Sequence, residues 1–335
     1  MSSAGQSRSL LRYVARRVLL AIPLILGIIA FNFFLLQLAP GDLADVVASE
    51  QGGAAADAGY VQELRKAFGL DLPVLLQLWT YLKNVATLDF GFSHRYGIPV
   101  TELITARLGG TMLLAATSLV IAVILGTALG LLAARRPGGV IDSVVSILAT
   151  LAYSAPLFWV GLMLIVFFGV YLQWLPTGGM QEVTKVPLQG AALLADRLHH
   201  LVLPATTLAL FFMAIYARMT KASMIEAMSQ DYIRTARAKG LRDRRIIFRH
   251  GFRNALLPLV TMIGLQAGTL LGGSVVVETV FAWPGMGRLA FEAVSNRDLN
   301  LLLSIMLLSS FVVVAVNLVV DILYAWLDPR IEVGA

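Results

Sequence analysis

Between Arg107 and Arg135 run 27 residues without one charged side chain, LGGTMLLAATSLVIAVILGTALGLLAA. As an α-helix this stretch is about 40 Å long, and the hydrocarbon core of a bilayer is about 30 Å thick. A helix satisfies its own backbone hydrogen bonds, so it needs no water and can cross lipid alone. Val18 to Ala39 is a second such run. The chain is therefore a polytopic membrane protein. Its 58% hydrophobic residues, 14% charged residues and mean hydropathy of +0.79 agree.

Six spans are expected, at about 14–38, 108–134, within 141–172, 199–217, 254–278 and 299–326. The third contains Pro156, which removes a helix hydrogen bond; halves of about 15 residues would each be too short to cross, so one long kinked span is expected. Arg8, Arg12, Arg16 and Arg17 precede the first run in signal-peptide fashion. That run spans 22 residues against about 7–15 for a signal-peptide core, so it reads as an uncleaved first span.

Short loops rich in Lys and Arg stay in the cytoplasm. With the N-terminus inside, that face collects 17 of the 26 Lys and Arg, ten of them between 218 and 253. The expected organisation is a cytoplasmic N-terminus (1–13), the first span (14–38) and an extracytoplasmic segment (39–107). A five-helix core (108–326) follows, with a cytoplasmic loop at 220–253, and then a cytoplasmic C-terminus (327–335). In the outer segment QGGAAADAG reads as a flexible loop, and VQELRKAFGL carries apolar residues at helical spacing. Cysteine is absent, which excludes disulfides and thiolate metal sites. The net charge of +6 sits at membrane edges, which points to lipid rather than nucleic acid.

The densest cationic segment is DYIRTARAKGLRDRRIIFRHGFRNALLP (231–258), eight Arg or Lys in 28 residues. Asp231 suits a helix N-cap and Gly240 a helix end. Between them Tyr232, Ala236 and Gly240 share one face at i, i+4 spacing, with Arg234, Arg237 and Lys239 pointing elsewhere. A second, amphipathic helix is expected from Asp243 to about Asn254. Enforcing topology or binding lipid headgroups needs charge alone. A capped short helix with a small apolar face suits docking into a partner's groove.

This segment resembles the cytoplasmic loop of ABC-importer permeases, and YIRTARAKGL with RHGFRNALLP resembles its dipeptide/oligopeptide branch, the first permease subunit. Aligned on Gly240, the usual Glu-Ala-Ala positions fall on Arg234, Thr235 and Ala236, without the acid. LLQLAPGDLAD (35–45), LDFGFSHRYGIPVTELI (88–104), ETVFAWPGMGRLAFEAVSNRDLN (278–300) and DILYAWLDPRI (321–331) are similar to that branch in the same order.

The resemblance implies a six-helix, type I importer fold in a bacterial cytoplasmic membrane, and a non-catalytic subunit of a binding-protein-dependent peptide importer. Asp231, Tyr232, Arg234, Thr235, Ala236, Arg237, Lys239 and Gly240 would couple it to one or two cytoplasmic ABC ATPase subunits, which carry ATP and Mg. A second, homologous permease would complete the pore, and an extracytoplasmic binding protein would deliver substrate. Members of the branch also resemble nickel and glutathione permeases.

The chain has no G-x-x-x-x-G-K-[ST] loop with which to bind ATP itself. His199 and His200 read as interfacial rather than metal-binding, and GFSH (91–94) lacks the context of a hydrolase nucleophile. Gly264, Gly268 and Gly272 line one face of span five, packing either inside this chain or against a second permease. Buried polar groups in spans are costly and mark pathways: Asn32, Gln37, Gln266, Asn317, Asp321 and, at the outer edge, Glu278, a candidate gate. An ion-driven secondary transporter is the alternative class; the absence of internal repeats and of charged span centres weighs against it.

Overall fold

A computed structural model describes residues 3–38, 58–67, 71–182 and 189–327. The chain beyond Leu38 as far as residue 57, with most of QGGAAADAG, lies outside these residues, as do Phe68 to Leu70 and the C-terminus from 328. Most of the described residues are helical, and the one isolated bridge among them joins Phe92 and Pro99. In chain order the helices are α1 (Ser3–Leu38), α2 (Ala58–Ala67), α3 (Val74–Ala86), α4 (Val100–Ala134), α5 (Val140–Ser154) and α6 (Leu157–Leu164), which continues as a π-helical turn, Ile165–Tyr171. Then come α7 (Gly190–Ser229), α8 (Asp231–Ala238) and α9 (Asp243–Arg245), extended by a π-helical segment, Ile246–Phe252. α10 (Arg253–Val280), α11 (Met286–Ser295) and α12 (Leu299–Leu327) complete the order.

Val14–Leu38, Val100–Ala134, Gly190–Ser229 and Leu299–Ile322 are each long and apolar enough to cross a membrane. Val140–Ser154 and Leu157–Tyr171 together are also long and apolar enough, as one broken span or as a re-entrant pair, and are bent by 104° at the break between them. That bend is far sharper than the kinked single span expected. Pro156 has no N–H to continue the helix, and its ring drives the preceding residue out of the helical region. Ala155 is accordingly extended, at φ −71° and ψ 135°.

The chain forms two compact units, Met1–Arg107 with Leu289–Ala315, and Leu108–Arg288 with Val316–Ala335. In the first unit, the polar residues of the first span are used internally. Asn32, 4% exposed, donates to the Leu303 carbonyl (3.0 Å) and accepts from the Tyr81 hydroxyl (2.8 Å). Burial pushes the Tyr81 phenol up to about 12, so it stays a donor. Gln37 donates to Gln77 at 2.6 Å. Two of the resembling stretches clasp each other here. Ser93 donates to the buried Asp298 carboxylate at 2.5 Å, and Asn300 donates to the carbonyls of Phe90 and Phe92, both at 3.0 Å.

In the second unit, α7 is the central element, and at 40 residues it is about 60 Å long. Leu201, Leu208, Phe212 and Tyr216 of α7 pack with Leu114 and Ala122 of α4 and Leu259 and Val277 of α10. Close approach of α4 and α7 depends on Gly126 and Gly130. A Cβ at 126 would lie 2.7 Å from the Met213 carbonyl oxygen, and one at 130 would lie 2.5 Å from that of Ala217. Near the start of α5, the buried Asp142 pairs with Lys221 of α7 and accepts from the Gly138 N–H at 2.8 Å. Arg218 lies over the Tyr153 ring, 4.7 Å from its centre.

Candidate functional site

The cationic hairpin is built as follows. Gln230, extended at ψ 153°, is the residue that precedes α8, and its side chain makes no capping bond. Asp231, expected at that position, sits one residue inside the helix, where its charge still faces the positive end of the helix dipole. Its carboxylate lies 3.4 Å from Arg234 with both side chains largely exposed, a contact worth little energetically. The helix ends as expected. Gly240 has φ +68°, its N–H donates to the Arg237 carbonyl (2.9 Å), and the Leu241 N–H reaches back to Ala236 (3.3 Å). This pair of bonds is the Schellman arrangement, in which the left-handed residue is glycine because it lacks a Cβ.

Inside the hairpin, Ile233 (0% exposed), Ala236 (5%) and Ile246 (1%) pack together, with Met228 and Leu241 against them. Burying an isoleucine is worth about 1.5–3 kcal/mol, so this cluster seats α8 on the segment that follows. Ala236 thus faces inward. The face expected from Tyr232, Ala236 and Gly240 is divided accordingly: Tyr232, Arg234, Thr235, Arg237, Lys239 and Gly240 are exposed, and Ala236 belongs to the supporting layer. Gly251 lies against α7, where a Cβ would come within 2.8 Å of the Met228 sulfur.

No separate amphipathic helix ends near Asn254. Phe252 and Arg253 keep helical angles, so the π-helical segment passes into α10 without a break. One rod about 55 Å long therefore runs from Asp243 to Val280.

At the far end of that rod stands Glu278, fully buried. Its carboxylate accepts from the Thr111 hydroxyl (2.7 Å) and the Arg288 N–H (2.9 Å), and also from the Ser274 hydroxyl and the Gly287 N–H. Thr111 in turn accepts from the Met286 N–H at 2.7 Å, and the Trp283 indole donates to the Gly110 carbonyl at 2.9 Å. Glycine at 285 and 287 makes room for this: a Cβ at either would run into the Glu278 carboxyl group. Glu278 was expected as a candidate gate. Its carboxylate is occupied in pinning WPGMGR (283–288) to Gly110 and Thr111, about three turns into α4.

The other expected positions are dispersed. Gly264 packs inside the chain, against Val320, whereas Gly272 opens onto free space. Gln266 accepts a hydrogen bond from Thr269, one turn away, at 2.6 Å. Asn317 is exposed on α12 and Asp321 half-buried. His199 bonds the Trp174 carbonyl, and His200 bonds the backbone of Asp196. Among the described residues no cluster of three metal-ligating side chains occurs. Sequence reasoning missed the Gly126–Gly130 contact, although the same four-residue spacing was noted in span five.

Residues 126–333 match the family described as binding-protein-dependent transport system inner membrane component, and residues 10–115 match its N-terminal counterpart. The chain is 41% identical over 321 residues to the oligopeptide transport system permease protein AppB of Bacillus subtilis, covering 96% of this chain and 99% of that protein. It is also 41% identical, over 323 residues and with the same coverage, to the glutathione transport system permease protein GsiC of Escherichia coli K12. Among solved structures, the inward-facing MetNI methionine ABC transporter shares the fold, with a TM-score of 0.54 at 19% identity over 68% of this chain and 96% of that one.

Proposed function

The chain belongs to the family of binding-protein-dependent transport system inner membrane components, and from that premise we propose that it carries di- and oligopeptides into the cell. It is a permease of an ABC importer, a complex that includes ATPase and substrate-binding partners. α10 is the fifth of six spans and both termini lie in the cytoplasm. A second, homologous permease completes the pore beside one or two ATPase subunits, which hold ATP and Mg. The equal identity to an oligopeptide and a glutathione permease supports peptide-like cargo, since glutathione is itself a small peptide.

The observation that carries the reading is the continuous rod from Asp243 to Val280, with the exposed cationic face of α8 seated at one end and Glu278 fixed at the other. A push on Tyr232, Arg234, Thr235, Arg237 or Lys239 by an ATPase subunit passes through Ile233 and Ile246 into the rod. Asp231 and Gly240 set the two ends of the lever, and Ala236 supports it. Lipid binding or topology alone would not need that seat. Gly264 packs within the chain, while Gly268 and Gly272 supply the approach to the second permease; Gln266 and Asn317 are the polar groups left for a pathway.

The test is Gly240→Val in the assembled importer. Its Cβ would meet nothing within 4 Å, so the change acts through the backbone, at about 1–2 kcal/mol for a left-handed residue. Peptide uptake should fall severalfold with membrane insertion unchanged. Full uptake at normal expression would count against the lever.

A further inference from the structure

We propose that the second arm of the hairpin, with α4 and α10, forms a binding site for one anionic phospholipid of the cytoplasmic leaflet, separate from the ATPase-facing α8. Two openings meet at one side chain. A basic one of about 410 Å³ is lined by Arg242, Arg244, Arg245 and Phe248. An apolar one of about 340 Å³ is lined by Phe248 again, then Phe252, Leu256 and Ile263, facing Ile124 and Leu131 of α4. Phe248 therefore stands between a cationic mouth and an apolar groove.

The dimensions fit one acyl chain. Phe252 to Ile263 is about 16 Å of helix, about half the hydrocarbon thickness. Ile124 and Phe248 remain 61% and 43% exposed, which leaves apolar surface in the groove uncovered by this chain. The charge fits an anionic headgroup: three exposed arginines outweigh Asp243 in the same turn. Lysine and arginine at a membrane surface each strengthen anionic-lipid binding about fivefold. A partner's apolar helix would fill the groove but leave the arginines unmatched, and free phosphate would match the arginines but leave the groove empty.

The site rests on the reading that α10 crosses the bilayer with the hairpin on the cytoplasmic side. The test uses the full-length chain with its partner subunits in nanodiscs of phosphatidylglycerol or of phosphatidylcholine with matched chains, followed by native mass spectrometry. Phosphatidylglycerol should be retained, and glycerol phosphate should not displace it. Replacing all three arginines by glutamine should weaken retention roughly a hundredfold; replacing them by lysine should preserve most of it. Ile124→Trp should weaken it through the groove alone. A photoreactive phenylalanine analogue at 248 should capture phospholipid. Equal retention of both lipids, retention unaffected by the glutamine variants, displacement by glycerol phosphate, or capture of polypeptide instead would overturn the site. Loss of the lipid with α8 still crosslinking to an ATPase would sink this inference and leave the proposed function standing.

Discussion

Replacing Glu278 by Gln keeps the shape of the side chain and removes one acceptor. The carboxylate serves four donors: the hydroxyls of Thr111 and Ser274 and the N–H groups of Gly287 and Arg288. A glutamine has one oxygen, so its amide group must face at least one pair of those donors. Hydrogen bonds to a charged group contribute about 1.5–3 kcal/mol each, and a buried donor left unmatched costs about 1–3 kcal/mol. Relief from burying a charge offsets part of this, leaving a net loss of about 3 kcal/mol for the pinned loop. Each 1.4 kcal/mol is a factor of ten, so backbone amides at 285–288 should exchange with solvent on the order of a hundredfold faster. Hydrogen exchange read by mass spectrometry on the nanodisc-embedded protein measures this directly. Protection unchanged or increased would mean that desolvation of the carboxylate outweighs its hydrogen bonds, and the pin would be refuted.

Ile233→Ala removes most of a fully buried side chain from the hairpin seat, at about 2–4 kcal/mol; ATP hydrolysis by the complex should persist while peptide uptake per ATP falls several-fold in proteoliposomes. Gly130→Leu drives a side chain into the backbone of α7, where even a Cβ would lie 2.5 Å from the Ala217 oxygen and 2.6 Å from the Thr220 Cβ. Folded protein recovered in detergent should drop sharply, whereas Gly272→Leu, pointing into open space within the chain, should fold normally and fail, if at all, only in assembly with a second permease.

The spans were legible because lipid imposes a single demand, a long run of apolar residues, and the runs near 14–38, 108–134 and 299–326 meet it plainly. The helix at 231–238 and its glycine stop were legible from local chemistry. The inward turn of Ala236 was not, since it depends on Ile246, a residue whose position follows from the π-helical segment. The partners of Glu278 were equally hidden: the donor Thr111 is far away in sequence, and no local pattern announces it. The 104° bend at Pro156 exceeds what a proline requires by itself, and a sequence pattern reports only that a break is permitted there.

Coupling of this chain to ATP hydrolysis requires α8 to touch an ATPase. Photoreactive residues placed at Tyr232 and at Arg237, both exposed on α8, should capture an ATPase subunit in the assembled complex, with a yield that changes between nucleotide-free and ATP-bound states. Capture of lipid alone at both positions, in every nucleotide state, would contradict it.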